Sequence, residues 1–402
     1  MFGEWRERLQ GRPSRASWAR QCELLLEAWL TSPHAVTEQW LPYARAYLGR
    51  WPEKTRCTPS WAIDFMLEAN ALHLLDLAGC VELDGIKAYE QLRVSEDFSS
   101  LPIAALTFEG DGEVFSTWSA SILAHDTRMA NIERFSLRRT RHDAEAWKKV
   151  DDGIWLSQLQ SLELDAVEFA KRAHRFNSIF RQIELTDLRS LLVRDTFESY
   201  FVANRSIPTQ LVQNQSYEDL RRAEIWHLQL TLHAARAIAE GAFGAHLESL
   251  YLHQPNLESR GWEAFVSEDP GALPELRHLH IDRCELVAYR LKTLFQSPWA
   301  RRLEHLQLTQ CSISDDRYEL ILDAAREMPS LEKLDLDRNY INDDCLIALS
   351  NHDSLSRLDS LEIEKRWGSR SPAVYEAFAT SATLPAHLRE DFARRLESPS
   401  AS

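Results

Sequence analysis

The sequence predicts an α/β fold: a solenoid of stacked strand-and-helix repeats with helical caps at both ends. Three observations predict it. A pattern of alternating apolar residues recurs along most of the chain, its copies fall about 29 residues apart, and helix-patterned stretches lie between them. The 402 residues are 44% apolar and 27% charged, which suffices for a sizeable buried core.

The chain starts with aromatic-rich helical patterns, "SWARQCELLLEAWL" and "VTEQWLPYARAYLGRW". Trp18, Cys22, Leu25, Leu26 and Trp29 share one helical stripe, and Trp40, Tyr43, Ala44 and Tyr47 share another. Residues 1–70 are therefore expected to cap the first repeat, because a terminal repeat would otherwise expose its core. The repeats are clearest at "LRHLHIDRCEL" from Leu276, "LEHLQLTQCSI" from Leu303 and "LEKLDLDRNYI" from Leu331. These share the template L-x-x-L-x-L-x-x-(N/C)-x-(L/I). It also fits "LESLYLHQPNL" from Leu247, "LDSLEIEKR" from Leu358 and "LHLLDLAGCVEL" from Leu72, with looser copies from Ile103, Ile132, Leu159 and Ile225. Another copy lies in "IELTDLRSLLVRDT", in a register set by either Ile183 or Leu191. Equating Leu75, Leu106, Phe135, Leu162, Leu191, Leu228, Leu250, Leu279, Leu306, Leu334 and Leu361 gives about eleven repeats over 71–366. Between copies, "SISDDRYELILDAAREMP" and "NDDCLIALSNH" open on capping residues and continue as amphipathic helices. Residues 367–402 hold two more amphipathic helices, with Leu388, Phe392 and Leu396 spaced by four, and are expected to form the C-terminal cap and tail.

This template resembles the leucine-rich repeat, and a strand, turn and helix of this length resembles its ribonuclease-inhibitor-like branch. The resemblance implies parallel strands inside the curve, helices outside, and protein recognition on the concave face. It also implies that Cys80, Cys284 and Cys311, followed by Asn339, occupy the inward Asn/Cys position and support the turn after each strand.

Charge and motifs exclude several function classes. The net charge is −15, carried by an acidic middle: residues 61–366 hold 33 basic and 51 acidic side chains. A nucleic-acid surface needs a basic stripe, so the expectation is no nucleic-acid partner and a protein partner, the acidic surface being suited to a basic one. No run of 18 apolar residues appears and no secretory leader is visible, so no membrane partner is expected. Six scattered cysteines without a CxxC suit a reducing cytoplasm, so the glycosylation-like tripeptides at Asn204 and Asn214 are discounted. The irregular repeats, without eukaryotic sorting signals, suggest a bacterial source. Phosphate-loop, dinucleotide, zincin and nucleophile-elbow motifs are missing, and "EGDGE" at 109–113 lacks calcium-loop spacing. No enzyme activity and no cofactor are expected.

In the template, the third, fifth and seventh positions point out from the strand face. The third row then reads His227, Ser249, His278, His305, Lys333 and Ser360; the fifth reads Gln229, Tyr251, His280, Gln307, Asp335 and Glu362; the seventh reads Thr231, His253, Asp282, Thr309, Asp337 and Glu364. The expected partner-binding residues are Tyr251, His253, His278, His280, Asp282, His305, Gln307, Asp335, Asp337, Glu362 and Glu364. A metal-binding or pH-sensing surface on His278, His280 and His305 is the alternative. A flat strand face rarely converges four ligands, so no metal site is expected.

Overall fold

The computed structural model describes residues 1–48, 50–52, 55–94, 103–110, 114–142, 144–151, 155–169, 183–195, 206–364 and 370–397. The chain forms two compact units, the first chiefly residues 1–173 and the second chiefly Arg189–Arg194 with residues 201–402.

The first unit opens with helices at Phe2–Gln10, Arg15–Thr31, Leu41–Leu48 and Ser60–Glu68. Ser14 caps the second of these by accepting from the Ser17 amide, satisfying a donor the helix cannot. Trp5 packs against Trp40 with ring centroids 5.1 Å apart, and the buried Trp51 donates from Nε1 to the Leu9 carbonyl at 2.8 Å. Of the two aromatic stripes, Trp18, Cys22, Leu25, Leu26, Trp40 and Ala44 are buried, while Trp29, Tyr43 and Tyr47 are half-buried.

Six strands follow: β1 (Cys57–Thr58), β2 (Cys80–Asp84), β3 (Ala105–Glu109), β4 (Val114–Phe115), β5 (Arg134–His142) and β6 (Ser161–Phe169). Their order is β1-β2-β3-β5-β6, all parallel, with β4 beside β5. Val81, Leu106, Phe135 and Leu162 are register partners, and all four are buried. The expected Leu75 anchor is thus wrong; Val81 takes that place. "LHLLDL" over Leu72–Leu77 is a 3-10 turn whose leucines are buried, and the alternation that makes the strand is Val81 and Leu83. Cys80 accordingly sits at the third position, not at the inward Asn/Cys position.

The second unit adds β7 (Ser190–Asp195), β8 (Arg222–Trp226), β9 (Gln229–Leu230), β10 (Ser249–His253), β11 (Asn256–Leu257), β12 (His278–Asp282), β13 (His305–Thr309), β14 (Lys333–Asp335) and β15 (Ser360–Glu362). Its sheet runs β7-β8-β10-β12-β13-β14-β15, wholly parallel, while β9 and β11 pair separately. Leu191, Ala223, Leu250, Leu279, Leu306, Leu334 and Leu361 align across it. Leu191 therefore sets the ambiguous copy, and Ala223 replaces the expected Leu228. The repeat there reads Leu220, Ala223, Ile225, Leu228, Leu230, all buried, with Leu228 at the Asn/Cys position. A small residue at the fourth position hid the true frame. Thr231 leaves the outward row altogether and caps the helix Leu232–Ala239 by accepting from Ala234.

Each fully buried leucine of the template contributes about 2 kcal/mol of apolar burial, but only when the neighbouring repeat closes over it. Backbone bonds fix the stacking. The amides of Arg221, Glu248, Arg277, Glu304, Glu332 and Asp359 each reach the corresponding carbonyl one repeat earlier, at 2.7–3.0 Å. After each strand the eighth template residue turns left-handed: His227, Gln254, Arg283, Gln310 and Arg338 have φ of 56°, 47°, 52°, 52° and 59°. Their amides donate forward, to the carbonyls of His253, Asp282, Thr309, Asp337 and Glu364. Gly85 and Arg139 adopt the same conformation at this position in the first unit.

The inward ninth position behaves as expected at Cys284, Cys311 and Asn339. Asn339 Oδ1 accepts from the amides of Cys311 and Ile313 at 2.9 and 3.1 Å, and its Nδ2 donates to Leu308 and Leu336 carbonyls at 2.6 and 2.9 Å. Cys311 can donate only its thiol, to the Ile281 carbonyl at 3.1 Å. Burial pushes the Cys284 thiol up to about 12 and Cys311 well above its usual value, so both are inert packing groups.

Return helices pack on the helices of neighbouring repeats. Leu232–Ala239 meets Ser259–Phe265, Ala288–Gln296 meets Tyr318–Glu327, and Asp343–Leu349 meets Pro372–Ala379. Asn342 caps Asp343–Leu349 through the Cys345 amide, as its sequence suggested. Pro372–Ala379 packs in turn on Ala386–Glu397, where Phe378 and Phe392 stack at 4.7 Å. Parallel strands with one face packed and, among the described residues, helices returning between them make this a leucine-rich-repeat fold of the α/β class. Asn214, the second glycosylation-like site, is buried and donates to the Ile183 carbonyl at 2.8 Å. Asn204 and part of "EGDGE" lie outside the described residues.

Candidate functional site

The outward face of the second unit's sheet gathers the expected contact residues into three groups. With the frame corrected, its rows start at Arg222, Glu224 and Trp226 instead of His227, Gln229 and Thr231.

The first group is a closed polar cluster. Trp226 stacks on His253 at 3.7 Å, and its Nε1 donates to Glu224 at 3.1 Å. Glu224 also pairs with Arg194 at 2.9 Å. His253 Nδ1 lies 2.7 Å from Asp282 Oδ2, and Thr309 donates to Asp282 Oδ1 at 2.7 Å. His280 Nε2 is 2.9 Å from the Thr309 hydroxyl, and the His280 ring stacks on Tyr251 at 4.3 Å. Because the one Thr309 proton goes to Asp282, Thr309 accepts from His280, which places the His280 hydrogen on Nε2. Tyr251 Oη, 3.2 Å from His253 Nδ1, closes the ring. His253 and Asp282, expected as outward contacts, are only 4% and 8% exposed. They lie on the outward face, but the stacked Trp226, Tyr251 and His280 cover them.

Electrostatics follow from this packing. Burial works against the Asp282 carboxylate, yet the hydrogen bonds from His253 and Thr309 outweigh it and hold its pKa below the ordinary range. Burial lowers His280, opposed by Asp282, so its ring is neutral near pH 7. Tyr251 is pushed up to about 12 by burial and by the charges of Asp282 and Glu224.

The second group is His278 and His305, register partners whose rings stack at 4.1 Å and 11°. His278 remains substantially exposed, with Glu304 3.9 Å from its Nε2. Burial, His278 and Lys333 all lower the His305 pKa. The alternative metal reading needs His280 to join this pair, but His280 is engaged by Thr309 and Tyr251. Among the described residues no group of three or more His, Cys, Asp or Glu side chains is placed to hold a metal.

The third group is acidic. Asp335 accepts from Gln307 Nε2 at 3.3 Å and from the Asp337 amide at 2.8 Å. Burial, then the charges of Asp337 and Glu362, push it up to about 6. Asp337 accepts from the Glu364 amide at 2.6 Å, and its pKa is raised by burial and Glu362. Sequence patterning missed the cation facing these acids. Arg395, on the helix Ala386–Glu397, forms a bidentate pair with Glu362 at 2.9 and 3.1 Å and approaches Glu364 at 3.5 Å. Tyr375 donates to Glu364 as well. The only sequence signal was a run of arginines on the last helix, with nothing to say where it docks.

No protein-family model matches the chain, and no curated protein matches it in sequence. Among solved structures it is similar to yeast Rad7 in its complex with Elc1, 15% identical with a TM-score of 0.46, covering 89% of this chain and 88% of that one. It is also similar to a Bacteroides fragilis protein, 14% identical at a TM-score of 0.42, covering 69% and 78%. A third is the internalin InlF of Listeria monocytogenes, 13% identical at 0.39, covering 78% and 81%. No helix among the described residues is long and apolar enough to cross a membrane.

Proposed function

We propose that the protein is a non-catalytic, cytoplasmic interaction module of the ribonuclease-inhibitor-like kind, and that it binds a partner protein through the outward sheet face of its second unit. Residues 1–70 and 367–402 serve it as helical caps. The observation that carries this reading is the face itself: consecutive strands in unbroken register present stacked aromatic and imidazole rings beside a block of carboxylates. Rigid rings cost little conformational entropy on binding, and acid grading into histidine gives a partner an orientation.

The contacts divide by their surroundings. His278, His305, Tyr251 and Gln307 offer accessible edges, with Asp335 and Asp337 supplying negative charge toward a basic partner. His253 and Asp282 hold Tyr251 and His280 in place from beneath. Glu362 and Glu364, already paired with Arg395, are weaker contacts than the sequence suggested. The test is affinity capture from the native cell with wild type and with His278→Glu/His305→Glu, each variant's fold checked by circular dichroism. The captured partner is expected to be lost from the double variant. Retention of the same partner at the same yield would place the binding surface elsewhere on the chain.

A further inference from the structure

The first unit carries a thiol pair that partner binding does not use. β1 is two residues long and lies at the edge of the sheet, and its Cys57 is the register partner of Cys80 on β2. Both side chains are buried, with Ala105 completing a small apolar patch. Their sulfurs lie 2.8 Å apart, with the Cys57 thiol donating to Cys80 Sγ and Thr107 Oγ1 3.7 Å from the same sulfur. Adjacent strands sit about 4.8 Å apart, inside the Cα separation of about 4.4–6.8 Å that a disulfide spans. The spacing of register partners is therefore compatible with closure.

We propose that Cys57 and Cys80 form a peroxide-oxidisable pair that closes into a disulfide and staples the edge strand to the sheet. The surroundings of the two sulfurs assign the roles. The Thr107 hydroxyl lies beside Cys80, so Cys80 is the sulfur that attacks; the bond with Cys57, then Thr107, Arg15 and Arg134, hold its pKa below the ordinary value despite burial. The bond with Cys80, then burial, raises Cys57, which keeps its proton. The Cys80 thiolate attacks one oxygen of hydrogen peroxide, breaking the O–O bond, and gives a sulfenic acid and hydroxide. Cys57 then attacks the Cys80 sulfur; the S–O bond breaks, its oxygen leaves as water with the Cys57 proton, and the disulfide forms. Overall two thiols are oxidised and one peroxide is reduced; the hydroxide takes the proton that Cys80 shed on forming its thiolate, so two waters result. Peroxide is small enough to reach a nearly closed site, and a two-residue edge strand is held by few bonds to begin with.

Tryptic cleavage after Arg56 and Lys87 leaves both cysteines in one peptide, residues 57–87. The full chain is treated with hydrogen peroxide, denatured, alkylated, digested and weighed. The expected result is peptide 57–87 without alkyl groups and two hydrogens lighter, restored to its doubly alkylated form by dithiothreitol. Recovery of that peptide doubly alkylated, while the more exposed Cys345 is oxidised, overturns the proposal. Cys57→Ser is expected to leave a sulfenic acid that dimedone traps at Cys80; trapping elsewhere overturns the assignment of roles. Cys345→Ser should retain the cross-link. Oxidised wild type should unfold about 5 °C higher in its first transition, a rise that Cys57→Ser should lack; an equal rise in both refutes the staple.

Discussion

Asp335 and Asp282 stand on the same sheet face with opposite electrostatic histories, and pH separates them. Asp335 is raised to about 6 in the folded protein, so folding holds its proton more tightly than the unfolded chain does. Its contribution is complete below the unfolded value and is lost as pH rises through about 6. Asp335→Asn is therefore expected to stabilise the protein at pH 7 by about 1–2 kcal/mol in urea unfolding, with the gain vanishing below about pH 4. Asp282 is depressed, so its stabilisation is present at neutral pH and lost as pH falls through its folded value. Asp282→Asn should cost about 2 kcal/mol at pH 7, and the gap should close in acid. A variant pair showing the same pH trend would contradict this assignment. At this scale the sequence was half legible. Alternation told which residues leave the core, because the period of a strand is two. It did not tell that His253 and Asp282 would be roofed over, since that depends on which rings stack across repeats.

Single elements show what the template conceals. In the second unit the left-handed eighth residue recurs at histidine, glutamine and arginine, so no glycine marked it there. Such a conformation costs a residue with a Cβ about 1 kcal/mol. Gln310→Gly is expected to raise stability by about 0.5–1 kcal/mol, and Gln310→Val to lower it by more than 1 kcal/mol, in thermal or urea unfolding. Equal stabilities would mean that the turn relaxes without this torsion. The same reasoning explains both frame errors. Ala223 is too small, and Val81 too close to a leucine-rich decoy, for a pattern search that rewards leucine. Register depends instead on which strand completes the neighbouring ladder, a non-local condition.

Across the molecule, the repeat template and its return helices were legible because each copy restates the same constraint, and errors in two anchors left the other nine in place. The chemistry of the outward sheet face was less legible, because charge composition does not reveal internal pairing. The net charge of −15 still shapes behaviour as a whole. Capture of a basic partner should weaken steeply as sodium chloride rises above about 0.15 M, where the screening length falls below about 8 Å. Binding indifferent to salt would leave the histidine and aromatic edges, not the carboxylates, as the source of affinity.

The forward-pointing amides after each strand have a further consequence for how the chain is made. His227, Gln254, Arg283, Gln310 and Arg338 each find their acceptor in the following repeat, never in their own. Ribosomes deliver the amino end first. Each repeat therefore emerges with its closing turn one bond short and completes it only when its successor has been translated, so maturation of the second unit trails synthesis by one repeat until Glu364 arrives.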